Sequence, residues 1–393
     1  MLDSIDIGTS GLTAFSKELQ TISNNVSNLN TIGFKGSRSE FSDFFAQGNN
    51  GQVGGEAAPV GAGLNTLSSV INFTQGQVNN TGNDLDAAIN GLGFFVLHDK
   101  TGNTVYTRDG QFQFDSSGYL ESTTNGDRVQ GLNAQGALQD ISLSSIKTNP
   151  AKATTSMTFT GGLSTGDPDH TVNNVNVIDA AGGTHSLTVD FRNNNSTTAG
   201  DWIVTVSDGT TAVATGHIQF LNGVIDPAHS TLSFTYSPSG VAPLPITLTV
   251  APGTTSAATG TTSTLAASTV DGYAQGTITK ASYDQTGHLV VTYTNGQTSQ
   301  SQQLAIATFQ DTSVLTPHSG NLFTSSNPTA ASLGVASGNT TISADSLEAS
   351  NVDLSKEFSE IIVTQRGYQA SSELISTANQ MLNTLIQMKG QTS

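Results

Sequence analysis

Apolar residues recur at alternating spacings of three and four at both ends of the chain. Near the N-terminus they are Leu12, Phe15, Leu19, Ile22, Val26 and Leu29. Near the C-terminus they are Leu354, Phe358, Ile361, Tyr368, Ile375, Leu382 and Ile386, with Gln365, Ser372 and Asn379 at the intervening positions. This spacing predicts two helices, each with the narrow apolar stripe of a coiled-coil seam. Each stripe needs a partner helix, from the other end of the chain or from another copy.

Between the ends, apolar and polar residues alternate in short runs that indicate strands. Trp202, Val204 and Val206 form one such run, and Asn295-Gly296 is the strongest hairpin signal, with a return strand expected from Leu304. The Thr/Ser/Ala/Gly-rich stretch 252–269 is expected to be a loop or linker. We also expect the lone Trp202 to lie in a core.

These patterns predict an α+β, mostly β, fold in which terminal α-helices form a coiled-coil inner layer and two antiparallel β domains are nested between them. The predicted divisions are a terminal helical domain at 1–30 plus 355–393, an extended connecting segment at 31–72, an inner β domain at 73–147 plus 278–354, and an inserted outer β domain at 148–277. The nesting follows if the two terminal helices pair, because the chain must then leave and return.

Composition narrows the classes of function. The net charge is −17 and only 13 residues are Lys or Arg, which argues against nucleic-acid binding. The chain has no Cys, so disulfides, thiol catalysis and Cys-based metal sites are excluded. The first residues, MLDSIDIGTSGLTAF, lack the basic and apolar regions of a secretory signal. No apolar run approaches the length of a membrane span.

Candidate chemistry is sparse. The seven His residues show no close metal-ligand spacing, and no nucleophile elbow, phosphate-binding loop or dinucleotide fingerprint occurs. We therefore expect no catalytic residue, no metal and no cofactor. Function should instead come from assembly of the helical stripes.

Four stretches resemble the signatures of bacterial flagellar rod and hook proteins. The first is 23–35 (SNNVSNLNTIGFK), which contains Asn24, Asn25, Asn30, Gly33 and Phe34. The second and third are 82–95 (GNDLDAAINGLGFF) and 106–110 (YTRDG). The fourth is 347–354 (LEASNVDL), which contains Asn351 and Asp353 and is followed on the C-terminal helix by Arg366. The resemblance covers both ends and the inner domain.

Within this group, the length and the large insertion are similar to the hook members. The resemblance implies a hollow, flexible tube, with the terminal helices innermost, that transmits torque from rod to filament. It implies an extracellular hook continuous with the basal body. The implied partners are further copies of the chain, the distal rod protein, the hook cap protein, the hook-filament junction protein and the flagellar type III export apparatus.

Two alternatives stay open from the sequence. A distal rod or hook-filament junction component shares the terminal signatures, whereas a secreted carbohydrate-binding or adhesive β-protein would explain the Thr-rich middle but not the paired ends. Gly367 stands inside the C-terminal helix, where Gly costs about 1 kcal/mol of helix propensity relative to Ala. We expect Gly367 to loosen the helix pair.

Overall fold

The computed structural model describes residues 2–46, 60–133, 135–257 and 262–390. Contacts within the chain divide it into two compact units. The terminal unit comprises Met1–Ser144, Ala281–Val290 and Gln300–Ser393, and the inserted unit comprises Ser145–Lys280 and Val291–Ser299. Each unit is described separately below.

Two long helices stand at the ends of the chain: α1 spans Leu2–Ser27 and α2 spans Leu354–Gly390. Asp353 caps α2, because its Oδ1 accepts hydrogen bonds from the amides of Ser355 (2.8 Å) and Lys356 (3.3 Å). Strands dominate the described residues between the helices, which confirms the predicted mostly β chain with a helix at each end. Neither helix, over its described length, is apolar enough to cross a bilayer.

The strands are short and numerous. The first ten are β1 (Ser37–Ala46), β2 (Val60–Ile71), β3 (Val78–Asn80), β4 (Ala87–Asn90), β5 (Phe94–His98), β6 (Thr104–Thr107), β7 (Phe112–Phe114), β8 (Leu120–Ser122), β9 (Arg128–Leu132) and β10 (Leu138–Asp140). The next twelve are β11 (Thr148–Asn149), β12 (Ser156–Thr160), β13 (Gly162–Ser164), β14 (Asp169–Ile178), β15 (Thr184–Asn193), β16 (Asp201–Asp208), β17 (Thr211–Leu221), β18 (Val224–Ile225), β19 (Thr231–Tyr236), β20 (Leu244–Val250), β21 (Thr255–Ala257) and β22 (Ala266–Val270). The last nine are β23 (Gly276–Tyr283), β24 (His288–Tyr293), β25 (Thr298–Leu304), β26 (Ile306–Phe309), β27 (Leu315–His318), β28 (Leu322–Ser325), β29 (Ala331–Gly334), β30 (Thr341–Ala344) and β31 (Ser346–Glu348).

An antiparallel hairpin of β1 and β2 follows α1 and packs along it. The Ser10 hydroxyl of α1 accepts a hydrogen bond from the Leu64 amide (3.2 Å), and the hydroxyls of Thr21 and Ser39 lie 3.1 Å apart. The segment expected to be an extended connection therefore contains a hairpin. Residues 47–59 of that segment lie outside the described residues.

The core of the terminal unit is aromatic. Phe94 on β5 makes edge-to-face contacts with Phe73, Phe309 and Phe323, with ring centroids 5.4 to 5.9 Å apart across this cluster. Tyr106 on β6 adds a further edge-to-face contact with Phe309 at 5.0 Å. Such pairs contribute about 0.5–1.5 kcal/mol each beyond the area that they bury. The cluster therefore holds together strands from before and after the inserted unit in sequence.

Two sheets lie wholly within the inserted unit. One has the strand order β19-β20-β12-β22 and the other β13-β21-β18-β17-β16-β15-β14. Their inner faces share one core, in which Trp202, Phe159 and Phe191 are fully buried, as expected for Trp202. Most pairs are antiparallel, but β12–β20 and β13–β21 are parallel. Part of the stretch expected to be a loop forms β21 and β22, while residues 258–261 lie outside the described residues.

Four hairpin turns share the pattern Asp-x-x-Gly-x, beginning at Asp99, Asp115, Asp179 and Asp284. In each, the Asp carboxylate accepts a hydrogen bond from the amide of the fifth residue at 2.8–2.9 Å. The Gly takes a positive φ, between 86° and 89° in all four turns, which residues other than Gly rarely adopt. This local chemistry helps to fix the register of the strands that each turn joins.

Asp271 closes the inserted unit at the end of β22. Its carboxylate accepts hydrogen bonds from the amides of Thr155 and Ser156, both at 2.8 Å, and Lys152 lies 3.3 Å away. Burial would raise the pKa of Asp271, but these hydrogen bonds and Lys152 outweigh burial and lower it to about 2. The ionised group therefore stabilises the folded unit above the unfolded-state pKa of about 3.9.

We expect this stabilisation to disappear as pH falls from about 4 to 2, because a depressed carboxyl pKa means that the unfolded chain binds the proton first. Unfolding followed by Trp202 fluorescence reports on the inserted unit alone, since Trp202 is the one Trp in the chain. In Asp271→Asn, the loss of unfolding free energy between pH 4 and 2 should be smaller by about 1 kcal/mol, the screened value for a partly exposed group. Identical pH dependence in the variant and the wild type would contradict this account.

Candidate functional site: the paired terminal helices and their junction

The two terminal helices lie side by side and antiparallel, and small residues let them approach closely. A Cβ placed on Gly8 of α1 would lie 2.6 Å from Ile375 Cγ1 on α2. A Cβ on Gly11 would lie 2.7 Å from the Ser371 Oγ. Real Cβ atoms do not come so near to other atoms, so larger side chains at these positions would force the helices apart.

Gly367 makes a third close contact, from α2 to α1. A Cβ there would lie 2.5–2.9 Å from three atoms of the Phe15 ring. This close contact argues against the expectation that Gly367 loosens the pair. Its low helix propensity is offset by the space that it provides for an aromatic ring.

We expect Gly367→Ala to destabilise the helix pair, although Ala favours a helix by about 1 kcal/mol over Gly. Overpacking against Phe15 should cost about 1–3 kcal/mol and leave a net loss of about 1 kcal/mol. Thermal melting followed by far-ultraviolet circular dichroism measures this loss of stability. The exposed Ser376→Ala is the matched control, and adding Phe15→Leu should restore stability to the Gly367→Ala variant. A higher melting temperature for Gly367→Ala would contradict the packing argument.

The helix pair ends in a polar contact. Asn25 is 3% exposed, and its amide group both donates to the carbonyl of Ser37 (2.7 Å) and accepts from its amide (3.0 Å). It also donates to the Glu357 carboxylate at 3.2 Å. Burial raises the pKa of Glu357, with nearby Glu360 and Glu18 acting in the same direction and the Asn25 hydrogen bond opposing them. Asn25 thus ties α1, β1 and α2 together.

The predicted seam residues fall into three groups. Ile22 is buried. Leu12, Phe15, Leu19, Val26 and Leu29 on the N-terminal side and Ile361, Ile375 and Leu382 on α2 are half-buried. Leu354, Phe358, Tyr368 and Ile386 are exposed in the single chain. The role of the whole set in polymerisation stays a prediction.

The face of α2 turned to α1 is more polar than its apolar pattern indicated. Glu357, Thr364, Ser371 and Ala378 are buried and stand seven residues apart. A search for apolar positions alone does not detect a heptad repeat of small and polar residues. The signal that could have revealed it is the sevenfold recurrence itself.

A second apolar stripe on α2 was missed by the sequence analysis. We call it the exposed stripe: Val363, Leu374, Met381, Leu385 and Met388, which are 49–69% exposed. Spacings of eleven, seven, four and three residues place them on one side of a helix, away from α1. Because Gly8 lies opposite Ile375, α1 begins near residue 381 of α2, and the last turns of α2 continue beyond α1.

At the base of the helix pair, three charged residues form a buried triad. The Lys35 Nζ lies 2.5 Å from Glu348 Oε1, and the Arg108 Nη1 lies 3.0 Å from Glu348 Oε2. The three side chains are at most 3% exposed. Burial lowers the pKa of both Lys35 and Arg108, and Glu348 opposes this in each case. The triad joins one residue from each of three signature segments.

Backbone groups complete the junction. Gly33 has φ +66°, its amide donates to the Glu348 carbonyl (2.7 Å), and a Cβ there would lie 2.6 Å from the Arg108 backbone. The Asn351 side chain accepts from the Gly36 amide (2.8 Å) and donates to the carbonyl of Asn72 (2.7 Å). The two ends of the chain are thus locked together by side-chain amides and a shared carboxylate.

The remaining motif residues are less engaged. Phe34 is half-buried, and its carbonyl accepts from the Asn351 amide at 3.3 Å. Asn24, Asn30 and Arg366 are exposed, although Asn24 accepts a hydrogen bond from Asn28 (3.1 Å). Sequence reasoning had not predicted the triad, because Lys35 and Glu348 are 313 positions apart.

This arrangement, with paired ends around an inserted β unit, is that of a flagellar axial protein. Three family models match: "Flagella basal body rod protein" at 5–35, "Flagellar hook protein FlgE/F/G D1 domain" at 88–162 and "Flagellar basal body rod FlgEFG protein C-terminal" at 344–388. The triad draws one residue from the first match, Lys35, one from the second, Arg108, and one from the third, Glu348.

The chain belongs to the flagellar hook protein FlgE family, whose members are structural subunits of the hook. It is 31% identical to flagellar hook protein FlgE of Escherichia coli (strain K12), over 97% of this chain and 98% of that protein. It is 29% identical to FlgE of Treponema pallidum (strain Nichols), over 99% of this chain and 100% of that protein. The crystal structure of Helicobacter pylori FlgE2 shares the fold, with a TM-score of 0.51 and 12% identity, covering 69% of this chain and all of that one.

These comparisons favour the hook over the two alternatives left open by the sequence, since relatives named as hook proteins align with nearly the whole chain. The family is a structural one. Within the described ranges, no group of three or more His, Asp or Glu side chains is placed to hold a metal ion.

Proposed function

We propose that this chain polymerises through its terminal helices into a hollow, flexible tube, the hook, which transmits torque from rod to filament. In this tube the helix pair forms the inner layer. The fixed intrachain seam makes α1 and α2 one assembly element, and the exposed stripe makes contact with further copies. We propose no catalytic activity.

The exposed stripe is the observation that carries the proposal. Five large apolar side chains in line on one helix are costly to leave in water, at about 25 cal/mol for each Å² of apolar surface. Exposed apolar surface of this kind marks an interaction site. A helical homopolymer covers the same stripe in every copy, because heterologous contacts repeat without closing.

Flexibility would come from the inserted unit. Only 11% of the chain is charged, so contacts between inserted units of neighbouring copies would be polar, hydrated and sparsely ionic. Water-bridged contacts can exchange at low cost. We infer that such contacts slide as the tube bends, while the helices hold the tube together.

The hook's place in the flagellum suggests the other partners. We propose that the polymer begins on the distal rod protein, grows under the hook cap protein and ends at the hook-filament junction protein. Subunits would reach it through the flagellar type III export apparatus. The tube would then be extracellular and continuous with the basal body.

Electron microscopy tests this proposal. Cells lacking the chain should carry rods without hooks, and the purified full chain should form curved hollow tubes. Straight, stiff tubes would identify a rod component instead. A chain that stays monomeric under all polymerising conditions would contradict the proposed function.

A further inference from the structure

A cleft of about 690 Å³ opens on the terminal unit, and its lining includes no residue of the helix pair or the triad. Three turns surround it: the β5–β6 turn with Asp99 and Lys100, the β8–β9 turn with Asn125 and Asp127, and the β27–β28 turn with His318. None of the functions proposed above uses it.

Asp127 is the unusual residue of this cleft. It is only 5% exposed, yet no described residue donates a hydrogen bond to its carboxylate or forms an ion pair with it. Burial raises its pKa and Asp99 raises it further, while Lys100 acts in the opposite direction from beyond ion-pair distance. Asp127 borders the cleft, so a cation bound there can supply the partner that the fold does not.

A second group in the cleft also has an unmet requirement. The Asn125 Nδ2 is buried and, among the described residues, has no hydrogen-bond acceptor, whereas its Oδ1 accepts from the Asp127 amide at 3.1 Å. The Asn125 Nδ2 lies beside Gly320 and is closed off from solvent, so an occupant of the cleft can serve only Asp127. A basic side chain supplies the cation that Asp127 lacks.

The remaining charges favour a guanidinium over a metal ion. The Asp99 oxygens already accept from Thr101 and Asn103 within their own turn, which leaves Asp127 as the carboxylate free to bind. Divalent cations need several oxygen ligands. A guanidinium needs one carboxylate, stays charged when buried and binds through two parallel hydrogen bonds.

We propose that this cleft binds an arginine side chain from a second copy of the chain. The proposal rests on the homopolymer proposed above, because a polymer supplies another copy next to every cleft. Three of the five arginines already contact a carboxylate: Arg108 in the triad, Arg128 with Asp140 at 2.9 Å, and Arg38 with Glu40 at 3.3 Å, the last in a solvent-exposed pair that adds little stability. The donor is then one of the exposed arginines, Arg38, Arg192 or Arg366.

Asp127→Asn in the full chain tests the proposal. The critical concentration for polymerisation, measured by sedimentation, should rise about tenfold, the size of effect expected for a charge-assisted contact. Stability of the unassembled chain should be unchanged or higher, since an unpaired buried charge has been removed. Glu121→Gln, which removes the same charge outside the cleft, is the control and should polymerise normally. Lower stability in Asp127→Asn would indicate a role inside the fold and overturn the proposal.

The arginine variants Arg38→Gln, Arg192→Gln and Arg366→Gln identify the donor and serve if Asp127→Asn does not fold. One of them should reproduce the tenfold rise, and combining it with Asp127→Asn should add nothing. Two results would overturn the arginine contact while wild-type tubes still form. One is an unchanged critical concentration in Asp127→Asn, and the other is that each of the three arginine variants has an effect that adds to that of Asp127→Asn. Failure of the wild type to polymerise would instead overturn the proposed function.

Discussion

Leu374→Asp should give a folded chain that does not polymerise. Leu374 is 55% exposed on α2 and belongs to the exposed stripe, so a charge there is harmless in the single chain. In a tube the same charge would be buried in every copy. Burying an unpaired carboxylate costs at least about 3 kcal/mol, which raises the critical concentration at least about 100-fold. Sedimentation and electron microscopy measure the loss of tubes.

Two controls separate assembly from folding. Ser376→Asp places the same charge on another exposed face of α2 and should still polymerise. Ile375→Asp faces Gly8 on α1, so it should reduce helicity in the unassembled chain as well as blocking assembly. Tubes formed by Leu374→Asp at wild-type concentrations would show that the exposed stripe is not an interface.

The contrast between Leu374 and Ile375 shows how far apolar periodicity reaches. Spacings of three and four predicted both terminal helices, and Ile375 does face Gly8 on the partner helix. Periodicity could not select the closest contacts, because Gly8, Gly11 and Gly367 have no side chain to score. Where helices approach this closely, the distance between them depends on the positions that carry no side chain.

The β structure shows a similar limit. Turn chemistry was readable, and Asn295-Gly296 does form a tight turn, in which the Gly296 amide donates to the Tyr293 carbonyl (3.0 Å). The return strand begins at Thr298 rather than at Leu304. The apolar pattern did not indicate its first residues, because the sequence TSQSQQL has no apolar alternation. Its position comes from pairing with its neighbours, which a local pattern does not contain.

Long-range polar contacts were beyond local patterns altogether, and the triad is the clearest case. Lys35, Arg108 and Glu348 each lie in a recognisable motif, yet nothing in any one motif indicates that its charged residue is buried against the other two. Two cations share one carboxylate, so Glu348 is the member that balances the site. Substituting Glu348 should therefore destabilise the terminal unit more than substituting Lys35.

Glu348→Gln should destabilise the terminal unit by about 3–5 kcal/mol, because two buried cations lose their counter-ion. Unfolding in urea, followed by circular dichroism, measures this loss. Trp202 fluorescence should show an unchanged inserted unit. Lys35→Met is the matched comparison: it leaves the Glu348–Arg108 pair in balance and keeps most of the apolar stem, so it should cost far less. The double variant should be more stable than Glu348→Gln alone.

The sign of the pH dependence provides an independent check. Burial lowers the pKa of Lys35, and Glu348→Gln removes the one negative charge that opposes this. Between the lowered folded pKa and the unfolded value of about 10.4, the unfolded chain binds more protons. Stability of Glu348→Gln should therefore rise with pH in that window, as Lys35 loses its charge. A loss that stays constant from pH 7 to 10, or a loss equal to that of Lys35→Met, would mean that the triad is not held by its shared charge.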